Sequence, residues 1–379
     1  MTTRRTVTWT RANARRLARQ HLTVPATAST PADAAAAMLG AHAQVITAAE
    51  LSIGLRMEGT TRTRVREALR GADPGLVKTY GPRGTVHLLP AADLPLWTGA
   101  LSAVPRRSPF PQDLRMTADR TEQVLTAIGE ALDGTELVIG ELSDEVVART
   151  GPWAGDLVVP AFQTMWPRWR QVMHIAAHRG LLAFGGGRGR QVTYLNPGCV
   201  PLDGARARAE LLRRYLHAYG PATPADFANW LAAPGRWSTT AFDTAAASAE
   251  IEETGLGWVV AGDTSFTDEP PCGVRLLPYF DAYLIASRPR ELLYPGAAYE
   301  RALAGGQAGN FPVLLIDGIA AGVWHAKRSG KKLAVTVEPL VELTAARLRE
   351  LKAQVERTGE IMEGRPELTV GKVTVGPHA

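Results

Sequence analysis

Three times along this chain, helical segments run into a pair of β-prone stretches separated by a turn, and no other feature limits the fold as strongly. In the first instance Leu76–Tyr80 and Thr85–Leu89 flank Gly81-Pro82-Arg83-Gly84. In the second, Leu181–Phe184 and Gln191–Leu195 flank Gly185-Gly186-Gly187-Arg188-Gly189-Arg190. Such runs around Gly/Pro turns read as hairpins. The third instance is shorter: a basic helix over 205–219, a helix over 224–232 capped by Thr223, and short strands at 251–253 and 258–260. Helices followed by a hairpin describe a winged helix. The expected fold is therefore mainly α with β-hairpin wings (α+β), with three tandem winged-helix units at 1–101, 117–197 and 205–268. A fourth, β-rich and barrel-like unit occupies 274–379. Its runs at 313–316, 319–325 and 333–337 surround the hairpin signal Asp317-Gly318, and a helix spans 344–357. The plan is one of element order, without a residue-level repeat.

Local signals sharpen the first two units. Thr10 is placed to cap a basic helix carrying Arg11, Arg15, Arg16 and Arg19. Thr30, Pro31 and Asp33 open a second helix that Gly40 stops, and a third starts at Thr47 and runs toward Arg56. A fourth covers 60–69. In the second unit, helices are expected over 118–132, from Gly140, and over 162–177, the last bearing Arg168 and Arg170.

Composition excludes several classes. With 379 residues the chain exceeds one ordinary core. Hydrophobic residues at 45% with 21% charged describe a globular chain, not a disordered one. No apolar run reaches membrane-spanning length, and no hydrophobic signal core follows Arg4 and Arg5. Cys199 and Cys272 supply neither a disulfide framework nor a zinc site by spacing. A cytoplasmic protein with no cofactor and no metal is the simple expectation. The net charge of +5 is modest for this length, so clustering of arginine matters more than the total. Arginine suits phosphate recognition, and its excess over lysine also suits a high-GC genome.

The stretch Leu39-Gly40-Ala41-His42-Ala43-Gln44-Val45 carries the candidate chemistry. It connects two helices and reads as extended, so His42 and Gln44 point to one face. That face would hold a proton acceptor beside a carboxamide with two donors and an acceptor, a pair able to hold water against an electrophilic carbon. An ordinary imidazole has a pKa near 6.5, so a His42 base would lose function as the pH falls through that value. The competing reading has His42 capping a helix end and Gln44 satisfying nearby backbone.

The surroundings of this stretch resemble one family. The segment 39–56, then Arg83-Gly84-Thr85-Val86-His87-Leu88, then Tyr219-Gly220-Pro221-Ala222-Thr223 with Asp226 and Trp230, then Leu276-Leu277-Pro278-Tyr279-Phe280-Asp281-Ala282-Tyr283, recur in this order in the bacterial winged-helix DNA glycosylases of the AlkZ and YcaQ type. That family's signature is usually Gln-x-Gln or Gln-x-Asp. His42-x-Gln44 looks like the His-containing branch of the AlkZ-like proteins. The resemblance implies a C-shaped molecule around a basic channel for double-stranded DNA, acting as a monomer. It implies a monofunctional glycosylase that hydrolyses the N-glycosidic bond of N7-alkylated purines, bulky adducts and crosslinks included, in DNA repair or self-resistance to an alkylating natural product. Catalysis would fall to His42 and Gln44, with no adjacent lysine to form a Schiff base and so no lyase activity.

Further candidates each carry two readings. Arg188 and Arg190 sit on a basic hairpin tip that either touches DNA phosphates or is a solvated turn. Arg83 is expected near DNA, and His87 either faces the cleft or is a core histidine. Asp281 and Tyr283 either line a pocket for a flipped base or lie at a buried domain junction, and Asp281 is also a candidate carboxylate to support His42. His174 and His178 have a metal-ligand spacing but no accompanying acid, and are expected at a helix end or on the surface. The rival from another class is a non-catalytic winged-helix DNA-binding protein, a regulator or an alkylation sensor. A regulator would need a sequence-reading helix and usually a dimer.

Overall fold

The computed structural model describes residues 7–71, 74–106, 108, 110–161, 164–303 and 306–376. Secondary structure is mixed α+β, with 45% helix, 19% strand and a curled half-barrel sheet. Both expected hairpins form, Leu76–Tyr80 with Val86–Pro90 and Ala183–Phe184 with Thr193–Leu195. They are not separate wings. Lys78 pairs with Phe184, which joins the two hairpins into one six-stranded sheet. Its order is Ala41–His42, Val86–Pro90, Leu76–Tyr80, Ala183–Phe184, Thr193–Leu195, Leu137–Val138. The short strand Ala41–His42 thus gains its place at one edge from the first hairpin.

The strongest local signals behave as expected. Thr30 and Asp33 form a capping box on the helix Pro31–Ala37, and Thr223 and Asp226 form another on Pro224–Leu231. Asp317 and Gly318 both take positive φ in the turn between Val313–Ile316 and Ile319–Ser329, as a type I′ hairpin requires. Two expectations fail, and one strand is unforeseen. The first helix is Trp9–Arg19 with Thr8, not Thr10, as its N-cap. The long helix over 162–177 is replaced by a strand Met165–Pro167, a 3₁₀ turn and the short helix Met173–His178, while residues 162 and 163 lie outside the described residues. Pro167 is the cause, because the residue before a proline is driven out of the helical region. The strand Arg365–Val370, which pairs in parallel with Lys332–Pro339, carries no strand signal of its own.

Packing runs across the chain order. One core combines Leu17, Leu22, Leu51 and Leu55 with the C-terminal sheet and the helix Ala345–Met362. Another joins Leu39, Leu89 and Trp97 to the helices Gly204–Tyr219, Pro224–Leu231 and Gly235–Ala247. The basic first helix is spent on this assembly. Buried Arg16 donates to the carbonyls of Tyr219, Pro221 and Arg288 at 2.8, 2.9 and 2.6 Å, and Arg15 and Arg19 both pair with Asp263.

Candidate active site

Four distant segments meet beside the edge strand. A tight pocket with only about 10 Å³ of free space is lined by Met38–Gly40 and His42, by Arg83 and His87 from the first hairpin, by Trp230, and by Phe280, Ala282 and Ile285. His42 lies directly across the ladder from His87, and the Ala43 amide donates to the Val86 carbonyl at 2.7 Å. The chain then bends, so the extended run expected to reach Gln44 ends early. His42 is 7% exposed and Gln44 is exposed to solvent.

The His42 ring is held by two aromatic neighbours. His87 meets it edge-on, centroids 5.1 Å apart, and Phe280 packs at 4.3 Å. His42 Nδ1 is buried with no hydrogen-bond partner among the described residues. Burial, and secondarily the Arg83 charge, pull its pKa down to about 3. The imidazole is therefore neutral throughout the ordinary pH range, not poised near 6.5. His87, 4% exposed, is also held well below its usual value, by burial first and then by His42 and Arg83. A neutral ring bonded at 2.8 Å to the Thr85 carbonyl must donate from Nδ1, which leaves Nε2 as an acceptor. Gly81 makes room for it, since a Cβ there would lie 2.8 Å from the His87 ring.

Backbone strain concentrates here. Nine non-glycine residues have positive φ among the described residues, and three of them, Leu39, Arg83 and Phe280, line this pocket. Each such conformation costs roughly 1–3 kcal/mol and persists only where the surroundings enforce it, which is characteristic of functional sites. Gly309 admits the strained Phe280, because a Cβ there would sit 2.3 Å from its ring.

The other sequence-predicted residues fall in different places. Arg83 is half-buried and donates to the Trp230 carbonyl at 2.7 Å, so it forms a pocket wall. Asp281 and Tyr283 do not line the pocket. Asp281 is fully committed to Arg56, at 2.8 and 2.9 Å, to the Ser52 hydroxyl and to the Tyr283 amide. It therefore leaves nothing for His42. The buried Tyr283 hydroxyl donates to the Gly318 carbonyl at 2.8 Å, inside the C-terminal core. The helix turn that Asp281 caps points its alternate side chains, Ala282 and Ile285, at the pocket instead. On the second hairpin, Arg188 pairs with Glu141 at 2.7 Å, whereas Arg190 is exposed and makes no ion pair among the described residues. His178 stands at a helix end, closing Met173–His178, but is buried there, and His174 is half-buried with its ring 5.9 Å from that of His178. No group of three or more potential metal ligands occurs among the described residues. Phe280 and Trp230 are pocket residues that reasoning on residue type alone does not single out, because only tertiary packing brings them to His42.

Comparison with known proteins places these observations in context. The family described as DNA glycosylase AlkZ-like matches residues 35–361. A relative from Streptomyces sahachiroi, an interstrand DNA cross-link repair glycosylase, is 27% identical over 380 residues, covering 91% of this chain and 94% of that protein. The solved structure of the Streptomyces sahachiroi DNA glycosylase AlkZ is similar in fold, with a TM-score of 0.78 at 24% identity, over 97% of this chain and 100% of that one.

Proposed function

The chain belongs to the AlkZ-like DNA glycosylase family, and from that membership we propose that it hydrolyses the N-glycosidic bond of N7-alkylated purines in double-stranded DNA. The observation that carries this reading is the protonation state of the pocket. Its histidines are neutral, and no carboxylate or lysine is among its lining residues. Such a pocket has no general acid for an unmodified base. An N7-alkylated purine needs none, because it already carries positive charge and departs as a neutral base with the electron pair of the broken C1′–N9 bond. Water then bonds to C1′ and its proton passes to the neutral His42, while the solvent-facing Gln44 carboxamide orients the oxygen. The absence of a lysine on the lining supports hydrolysis without a Schiff base. The relative's name supports crosslinks as substrates and a role in DNA repair, and the reading extends to bulky adducts and self-resistance.

The test is incubation with a duplex containing N7-methylguanine, followed by hot alkali to cleave abasic sites. The unaltered protein should generate strand breaks at the lesion. Gln44→Ala should lose about two to four decades in rate while keeping DNA affinity within a few-fold. Near-normal turnover in that variant would remove Gln44 from the mechanism. Lesion binding without any excision by the unaltered protein would favour a sensor.

A further inference from the structure

A second concavity adjoins the His42 pocket and shares Arg83 with it. This groove, about 780 Å³ and open to solvent, is lined by Arg83, Gly84, Pro105, Arg106, His174 and the 232–234 turn. Four parts of the chain therefore converge on it: the first hairpin turn, the Pro105-Arg106 segment, the short helix Met173–His178, and the turn after Pro224–Leu231. Ala232 is a further positive-φ residue, so backbone strain extends from the pocket into the groove.

The groove's polar groups lack partners of opposite sign. Arg106 has two buried guanidinium nitrogens, Nε and Nη2, without a hydrogen bond among the described residues, and no other arginine there has two. Burial alone lowers its pKa, with no carboxylate acting on it. His174 is lowered to about 4 and His178 to about 3, by burial first and then by Arg106. The charges that act on Arg83 are likewise other arginines and a tyrosine, not an acid. Many arginines elsewhere are matched by carboxylates, as Arg179 is with Glu122, Arg213 with Glu210 and Arg347 with Asp317. A half-buried guanidinium with buried nitrogens that make no hydrogen bond is costly, and a tetrahedral oxyanion satisfies it through its planar fork.

We propose that this groove is a phosphodiester site, in which Arg106 and His174 grip the backbone phosphate next to the nucleotide presented to His42. The proposal rests on the glycosylase reading for the identity of that nucleotide. Arg83, as the wall common to both concavities, ties the position of the gripped phosphate to the position of the scissile bond. The groove thus supplies register rather than chemistry.

The test reads binding, not excision. Fluorescence anisotropy is measured with a duplex carrying one tetrahydrofuran abasic analogue, and with copies in which each nearby phosphate is replaced singly by a neutral methylphosphonate. The unaltered protein should lose about tenfold in affinity at one or two phosphates beside the analogue. Arg106→Ala should bind about tenfold more weakly, lower the salt slope by about one, and lose nothing further at those same phosphates. Arg106→Lys should keep the salt slope. Fully additive losses, or an unchanged slope in Arg106→Ala, would overturn the proposal. So would inorganic phosphate binding that depends on Arg106 while duplex binding does not, which would make the groove a free-anion site. The methylphosphonate scan alters no residue and needs no folding control. Excision by the unaltered protein with an unmoved slope in Arg106→Ala sinks the phosphate grip alone. A moved slope without excision keeps the grip and sinks the glycosylase reading.

Discussion

Lowering the pH from 7.5 to 5 should leave the rate of base excision unchanged, although a histidine is the proposed base. His42 must be neutral to accept the proton of water, so a lowered pKa moves the acid limb downward. With a pKa of about 3, His42 is only about 1% protonated at pH 5, and its base form is intact. An imidazole left at 6.5 would be about 97% protonated there, and the rate would fall about 30-fold. The measurement is single-turnover excision of N7-methylguanine from pH 5 to 8.5, for the unaltered protein and for His42→Gln. The variant should keep part of the activity, because the cationic base departs readily and Gln44 still orients the water. The two profiles should differ in height and not in shape. An acid limb near pH 6.5 that disappears in His42→Gln would refute the reasoning, since it would mean that burial against Phe280 and His87 does not hold the ring neutral. Equal rates at every pH would remove His42 from the chemistry.

Two further outcomes follow from the ion pairs. Arg190→Ala should lower the salt slope of duplex binding by about one, and Arg188→Ala by less, because Glu141 already neutralises Arg188; equal effects, read from anisotropy across a salt series, would contradict this. Asp281→Asn strands the fully buried Arg56 and should cost about 3–5 kcal/mol in urea unfolding, against about 1 kcal/mol for Ser52→Ala; a small loss in Asp281→Asn would show that the pair does not join the third helix to the Phe280 segment.

Much of the fold is written locally. The capping boxes at Thr30 and Thr223 and the Asp317-Gly318 turn form where residue type places them, because each depends on hydrogen bonds or φ values within three or four residues. The two hairpins are legible for the same reason. Local signals also mislead where two of them compete, as at 162–177, where helical periodicity is interrupted by Pro167. The Arg365–Val370 strand is invisible locally because its pairing comes from Lys332–Pro339, about thirty residues earlier.

The candidate site divides in the same way. The sequence by itself determined that His42 stands two residues from Gln44 at the end of a short helix, and its order of motifs pointed to the family that matches residues 35–361. Tertiary structure alone decided that Phe280 and Trp230 close around His42, and that Asp281 turns away to Arg56. It also decided that Arg106 reaches a groove beside Arg83. The physical reason is that protonation and hydrogen-bond demand are properties of an environment. Burial by residues as distant in sequence as Phe280 turns an ordinary imidazole into one neutral down to a pKa of about 3, and no window of neighbouring residues encodes that.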